Sequence, residues 1–286
     1  MNSEQIEVQH WSGAGNRFVI IDNRNKYIQH ISEQIVSRLC RRINLLDAEG
    51  LLVLTETNNN DLSCNYDFYN PNGSTGMMCG NGARCAIRHA ITITGWNVEK
   101  IQLILNKCRY EGQLIGSDLV SLHLPSYREL RIIDNWAYVN VGSEHIVIDA
   151  QDLVSSLDEF HRFPLNDFAR EHLDIYRNQV ARVSLNLNIA FLDSQTNLIH
   201  LRTYENGVFD ETQACGTGAI STALAFWKKQ RVHHRSIDCL PKSNRMLTVD
   251  LELDESQGQI VGIILRGDAR EDTISNRFDL KTMEYQ

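Results

Sequence analysis

Two cysteines, Cys79 and Cys215, each stand immediately before a Gly-polar-Gly-Ala sequence: GMMCGNGARC begins at residue 76 and QACGTGAIS at residue 213. They lie 136 positions apart, about half of the 286-residue chain. Glycines let the backbone turn tightly and bring its N–H groups close to a ligand. The run after each motif is helix-like, and the first N–H groups of a helix have no internal partner and carry the positive end of its dipole. Such a start binds a carboxylate without a dedicated arginine. The same field favours thiolate over thiol. Two of them, one per half and facing across a cleft, would grip the α-carboxylate of an amino acid from both sides. A thiolate on one face could then remove the α-proton while a thiol on the other face delivers one, inverting the carbon. The carbanion would be stabilised by aimed backbone dipoles in a dry site, so the scheme needs no Schiff base, metal or other cofactor.

A buried cysteine is commonly just a small hydrophobe. The matched settings of Cys79 and Cys215 argue for function there, whereas Cys40, Cys64, Cys85, Cys108 and Cys239 lack that setting and read as core or surface thiols. Seven scattered cysteines, with no basic-then-apolar leader at the N-terminus, indicate free thiols in a reducing cytoplasm. Cys79 and Cys85 are six apart and bracket a helix start, which is not a zinc-ligand spacing. A formal charge of −8 speaks against nucleic acid as the main partner, and no apolar run approaches the ~18 residues of a membrane span. Neither dinucleotide nor P-loop glycine patterns are present. The basic run at 228–231 reads as a solvated helix end.

The elements that must position these residues come in two similar sets. In the first half, strands are expected over 5–22 (with a turn at SGAGN), GLLVLTET, YDFYN, KIQLIL, YEGQLIG and LVSLHL, with helices over 35–43 and 82–93, the latter stopped by Gly95. The second half repeats the plan with AYVNVGSEHIVID, one or two helices in the polar region 149–182, VSLNLNIAFLD, LIHLRTYE, a helix over 218–231, RMLTVDLEL and GIILRGDARED. Each half therefore reads as strands curling around one helix that a cysteine motif begins. The expected boundaries are 1–128 and 129–269, with the tail 270–286 packing back on the first half.

Over nearly its whole length the sequence resembles the diaminopimelate epimerase family of cofactor-independent two-cysteine epimerases. The likeness rests on SGAGNRF at 12–18, YNPNGS at 69–74, MCGNGARC at 78–85, VGSEH at 141–145, LNLN at 185–188, TYENG at 203–207 and ETQACGTGA at 211–219. It implies an α/β (α+β) fold of two pseudo-symmetric halves, each a curled, mostly antiparallel sheet around a central helix, with the active site in the cleft between them. It implies that Cys79 and Cys215 are the acid–base thiols, with His145 near the first and Glu205 near the second. Asn16, Asn70 and Asn186 match family asparagines of the substrate cleft, although an asparagine in a turn such as that of Asn70 is as readily a turn former. The backbone at Gly80, Asn81, Gly216 and Thr217 would hold the α-carboxylate.

The chain also departs from the family pattern. Where the family has an arginine that binds the substrate's distal carboxylate, this sequence has Asn206, which cannot replace the charge of a guanidinium fork. Ser143 and Glu144 replace a usual Asn-Pro or Ser-Pro pair before the histidine, Arg17 replaces an aspartate, and LLDAE at 45–49 replaces a glycine-rich segment. The expected activity is epimerisation of LL- or meso-diaminopimelate, with Arg17 as one possible source of the missing distal charge. Racemisation of another amino acid such as histidine, or amino-acid binding without turnover, are the alternatives. A small-molecule substrate is expected, a homodimer is compatible, and neither nucleic acid nor membrane is expected as a partner.

Overall fold

The computed structural model describes residues 5–41, 48–75, 78–98, 100–254, 256–272 and 276–285. Residues 45–47 of LLDAE, residues 42–43 of the expected first helix, residues 76–77 of the first cysteine motif and 273–275 and 286 of the tail lie outside them. The chain forms two compact units, Met1–His123 with Gly267–Gln286, and Leu124–Arg266.

The first unit is built from strands β1 (Gln5–Gly13), β2 (Asn16–Asp22), β3 (Leu51–Asn58), β4 (Ser63–Tyr69), β5 (Lys100–Leu105), β6 (Cys108–Leu114) and β7 (Leu119–Pro125, its last two residues belonging to the second unit), with helix α1 (Glu33–Cys40) between β2 and β3 and helix α2 (Gly80–Thr94) between β4 and β5. From β1 to β6 the neighbours alternate: antiparallel, parallel, antiparallel, parallel, antiparallel. Each parallel step needs a crossover, and α1 and α2 supply the two. The strands β2 and β3 read as continuous apolar runs, FVII and LLVL, because both faces are covered. Val19, Ile21, Leu51 and Val53 join Val36 and Leu39 of α1 in one core cluster. Phe18 on the opposite face meets Gly82 of α2.

The second unit repeats this order. It comprises β8 (Glu129–Ile133), β9 (Trp136–Asn140), β10 (Glu144–Asp149), helices α3 (Leu157–Arg162) and α4 (Leu165–Val180), β11 (Asn186–Asp193), β12 (Leu198–Glu205), the short β13 (Asp210–Glu211), helix α5 (Gly216–Lys228), β14 (Ser236–Pro241), β15 (Leu247–Asp254) and β16 (Gln259–Asp268), whose last two residues belong to the first unit. From β9 to β15, omitting β13, the pairing again runs antiparallel, parallel, antiparallel, parallel, antiparallel. The first parallel crossover carries α3 and α4, and the second carries α5. Ile146, Ile148, Leu187 and Ile189 pack with Phe160, Leu165 and Leu173 on one sheet face. The other face, carrying His145 and Asn188, looks toward α5. Both central helices are thus second-crossover helices, and each begins directly after one of the two motif cysteines. The chain ends with β17 (Arg270–Glu271), β18 (Asn276–Asp279) and β19 (Glu284–Tyr285), of which β17 and β18 pair antiparallel with β1.

The helix α5 is buried at every position from Gly216 to Phe226, so it shows no polar face. Small residues let strands come close to α2: a Cβ on Gly13 would sit 2.6 Å from the Asn81 carbonyl oxygen, and one on Gly112 would sit 2.3 Å from Ile87.

Three features differ from the sequence expectation. Both central helices begin two residues early, at Gly80 and Gly216, because each cysteine itself is the N-cap. The helix α1 stops at Cys40, with Arg41 already extended at φ −83° and ψ 120°. Strands β8, β13 and β14, and β18 and β19 of the tail, were not anticipated. The β8 segment lay in the assigned inter-half boundary, and SIDCLP in β14 buries only Ile237, Cys239 and Pro241, a period-2 pattern too short to stand out. Among the described residues, no helix is long and apolar enough to cross a membrane.

Candidate active site

Cys79 and Cys215 adopt nearly the same local geometry. Cys79 is extended at φ −118° and ψ 105°, and its Sγ accepts a hydrogen bond from Gly82 N at 3.4 Å. Cys215 is extended at φ −124° and ψ 112°, and its Sγ accepts from Gly218 N at 3.3 Å. Sulfur here takes the position in which serine or aspartate oxygen usually caps a helix, against the N–H three residues on. The sulfur is therefore fixed at the positive end of a helix of 15 residues in one unit and 13 in the other. Other thiols lie in different surroundings. Burial pushes Cys64 up to about 12 and also raises Cys239, so both stay protonated.

Around Cys215 the sheet register assembles a polar row. His145 pairs opposite Asn186 on β10 and β11, and Asn188 pairs opposite Thr203 on β11 and β12. Directly opposed residues share a face, as do residues two apart on one strand, so His145, Asn186, Asn188, Thr203 and Glu205 all lie on the α5 side. The LNLN repeat is what puts Asn188 there. Sequence reasoning picked out Asn186 and missed Asn188, though the period of two carried the signal.

Hydrogen bonding within this row fixes the histidine's tautomer. Asn188 Nδ2 donates to Ile146 O at 2.9 Å and to His145 Nδ1 at 3.0 Å, while Asn188 Oδ1 accepts from Thr203 Oγ1 at 2.8 Å. His145 Nδ1 is therefore the acceptor, and the ring proton sits on Nε2. Nε2 lies 2.9 Å from Ser143 Oγ and 3.0 Å from Thr217 Oγ1. A Thr217 hydroxyl that accepts from the ring directs its own proton elsewhere, and Cys215 Sγ is 3.4 Å away. The polarity of the row thus runs from the Thr203 hydroxyl through Asn188, His145 and Thr217 to the sulfur. The resemblance implied that His145 lies near the first thiol; its hydrogen-bond partners are Ser143, Asn188 and Thr217, all in the unit of Cys215.

Burial depresses the His145 pKa to about 3, partly offset by Asn188, so the ring is neutral at physiological pH. His89 on α2, whose Nδ1 is 2.6 Å from Tyr66 Oη, is likewise depressed to about 4 by burial. Both rings refuse a proton that the unfolded chain accepts near 6.5. The native state therefore loses relative stability as pH falls below about 6.5 and continues to lose it toward about 4, by ~1.4 kcal/mol per pH unit for each ring. Urea titrations between pH 7 and 4.5 are expected to show this fall, and His89→Gln is expected to remove about half of these two rings' contribution to the slope.

Glu205 ends β12. Burial raises its pKa, while hydrogen bonds with Thr212 and Cys215 pull in the opposite direction. Thr212 Oγ1 donates to its Oε1 at 2.5 Å. The Glu205 carboxyl thus lies within hydrogen-bonding reach of Cys215. Glu144, at the family's proline position, points to the opposite sheet face from His145 and is neutralised there by Tyr138 Oη at 2.6 Å and Arg182 Nε at 2.7 Å.

In the first unit, Asn16 is buried opposite Gly13, on the hairpin face that meets the start of α2, and its Oδ1 has no partner among the described residues. Asn81 accepts from Arg84 Nη2 at 2.8 Å, and Arg84 Nη1 donates to Gly80 O at 3.2 Å. Arg84 is completely buried one turn inside α2 and adds its charge to the positive helix start, a contribution the sequence reading missed. Asn70 spends its side chain inside its own turn, on Ser74 Oγ at 3.0 Å. Arg17 is half-buried on β2 opposite Ser12. Asn186 accepts from Asn206 N at 2.9 Å and donates to Glu144 O at 3.1 Å. Among the described residues, no group of three or more His, Cys, Asp or Glu side chains is gathered where it could hold a metal ion.

A family model described as "Diaminopimelate epimerase" matches residues 10–102. Diaminopimelate epimerase of Chlorobaculum tepidum is 32% identical over 91% of this chain and 96% of its own length, and that of Flavobacterium psychrophilum is 29% identical over 92% and 97%. The chain belongs to the diaminopimelate epimerase family. Membership makes it an isomerase of the amino-acid epimerase type. The fold agrees: a hydroxyproline epimerase from Agrobacterium vitis superposes with a TM-score of 0.62 at 11% identity, over 97% of this chain and 92% of that one. A Bacillus anthracis phenazine biosynthesis protein of the PhzF family superposes with a TM-score of 0.70 at 13% identity, over 96% and 98%.

Proposed function

We propose that the chain interconverts LL- and meso-diaminopimelate by moving one α-proton between two thiols. One of Cys79 and Cys215 takes the proton as thiolate while the other returns a proton to the opposite face of the same carbon, so the enzyme ends each turnover with its thiol and thiolate exchanged. The matched capping of two sulfurs on two long helices is the observation that carries this reading. The α-carboxylate is received by the backbone N–H groups of Gly80 and Asn81 and of Gly216 and Thr217, which withdraw charge from the α-carbon as it ionises. The open, buried Oδ1 of Asn16 suits an ammonium group. Glu205 exchanges a proton with Cys215, and Thr217, held by neutral His145, gives the thiolate a hydrogen bond. The enzyme acts in the cytoplasm without a cofactor.

Turnover in D₂O tests this. Diaminopimelate is expected to gain a deuteron at the inverted carbon at the rate at which isomers interconvert, read by chiral separation and mass spectrometry. A protein that only binds amino acids leaves the α-proton in place, and that result would end the proposal. Asn206 supports a second reading, a racemase of an amino acid without a distal carboxylate, because both ends of its side chain are engaged within the protein. Histidine and other amino acids in the same assay separate the two readings.

A further inference from the structure

We infer that a cavity on the α3 side of the second unit binds the phosphate group of a small molecule, through His161, His200 and Lys242. The cavity measures about 390 Å³, and every residue lining it belongs to Leu124–Arg266. On β12, His200 and Arg202 alternate with Thr203 and Glu205, which look toward α5, so the cavity lies on the sheet face away from the polar row behind Cys215.

The polar groups on its wall divide into engaged and vacant ones. Arg202 is engaged throughout: Nε and Nη2 close a fork on Glu211 Oε1 and Oε2 at 2.7 and 2.8 Å, and Nη1 donates to Phe160 O and Phe163 O, each at 2.8 Å. Both Glu211 oxygens are thereby occupied, and Lys242 Nζ adds a further bond to Oε2 at 3.1 Å. An ammonium has three N–H groups, so Lys242 keeps two for another acceptor. The rings of His161 and His200 stand 5.6 Å apart between centres at an angle of 83°, and their nitrogens have no hydrogen-bond partner among the described residues. The side-chain amide of Asn244 has none among them either. Two cations share one carboxylate, so the wall keeps uncompensated positive charge.

This pattern selects phosphate over carboxylate. A carboxylate is planar and is recognised best by a guanidinium fork, and the guanidinium on this wall is already closed on Glu211. A phosphate presents oxygens in several directions. That suits a lysine point charge from the loop after β14, one imidazole from α3 and a second, nearly perpendicular, from β12. A bare phosphate fills only part of the space, and Phe160, Leu240 and Pro241 supply apolar wall for an organic portion.

The test is calorimetric titration of the full-length protein with inorganic phosphate, phenyl phosphate and benzoate at constant ionic strength. The wild-type chain is expected to bind phenyl phosphate more tightly than inorganic phosphate, and benzoate about tenfold more weakly than phenyl phosphate. Lys242→Met and His161→Asn change exposed positions, so the melting temperature should hold, and each is expected to weaken phenyl phosphate binding about tenfold by removing one charge-assisted bond. Excess diaminopimelate is expected to leave the bound phenyl phosphate in place. Absence of binding at millimolar phenyl phosphate overturns the inference, and so does binding that neither substitution weakens. Displacement by diaminopimelate overturns it too, because it puts the anion at the helix starts beside the motif cysteines. Tighter binding of benzoate than of phenyl phosphate overturns the choice of phosphate. Should one variant fail to fold, the other decides in the same way.

Discussion

Replacing either Cys79 or Cys215 with serine is expected to lower epimerisation by about 10³-fold or more while leaving the fold intact. The two halves of that expectation have separate causes. Serine is among the best N-cap residues, so its hydroxyl takes over the bonds from Gly82 N or Gly218 N, and the melting temperature should move by no more than a few degrees. An alcohol, however, is not appreciably ionised near neutral pH even beside a helix start, so it cannot remove an α-proton. General acid–base groups contribute about 10²–10⁴-fold each, and in the proposed scheme both directions of turnover pass through both sulfurs. Chiral assay with circular dichroism as a folding control checks this. Full activity in either single variant would mean that proton transfer does not use two thiols. Cys108, which is exposed and far from either motif in sequence, provides the matched control: Cys108→Ser should retain wild-type rates.

The second large effect is expected for Gly218→Ala. A Cβ there would lie 2.5 Å from Asn188 Oδ1, 3.0 Å from Thr203 Oγ1 and 3.1 Å from Cys215 Cβ. Asn188 cannot move aside, because it is bonded to Ile146 O, His145 Nδ1 and Thr203 Oγ1 at once. The methyl group either breaks that buried network or pushes α5 away from the sheet. Overpacking and an orphaned buried amide each cost about 1–3 kcal/mol, so a loss of about 2–4 kcal/mol is expected, visible as a clear drop in melting temperature. Activity should fall with it, because the network orients Thr217 toward the sulfur. The equivalent glycine of the other unit behaves differently. A Cβ on Gly82 would meet Phe18 at 3.3 Å and Cys79 Sγ at 3.6 Å, so Gly82→Ala should cost less than about 1 kcal/mol. Equal destabilisation of the two variants would show that the row behind Cys215 carries no special rigidity.

Much of this organisation could be read from residue order alone, and the reasons are local. The alternation of apolar runs with helix-like segments follows from short-range periodicity, as does the placing of α2 and α5 after their cysteines. Family membership was legible because the cysteine motifs are rare and keep their order. What escaped the sequence depends on pairing between distant segments. Asn188 matters because β11 lies between β10 and β12 in one particular register, which no single strand announces. Arg84 looks like an ordinary helix cation until the sheet encloses it. Arg177 sits in a helix whose charges resemble any solvated face, and only the fold brings it to Asn206, 29 positions later.

The first unit is assembled from both ends of the polypeptide, while the second is one uninterrupted stretch. Phe278, fully buried against Val8, Val19 and Leu51, belongs to the core that β1, β2 and β3 begin to form. During synthesis the middle of the protein can therefore mature on the ribosome, whereas the N-terminal sheet waits with a gap beside β1 until the last residues emerge. Translation that stops before Asn276 would release a product in which β1 lacks its β18 partner and the core around Val8, Val19 and Leu51 lacks Phe278.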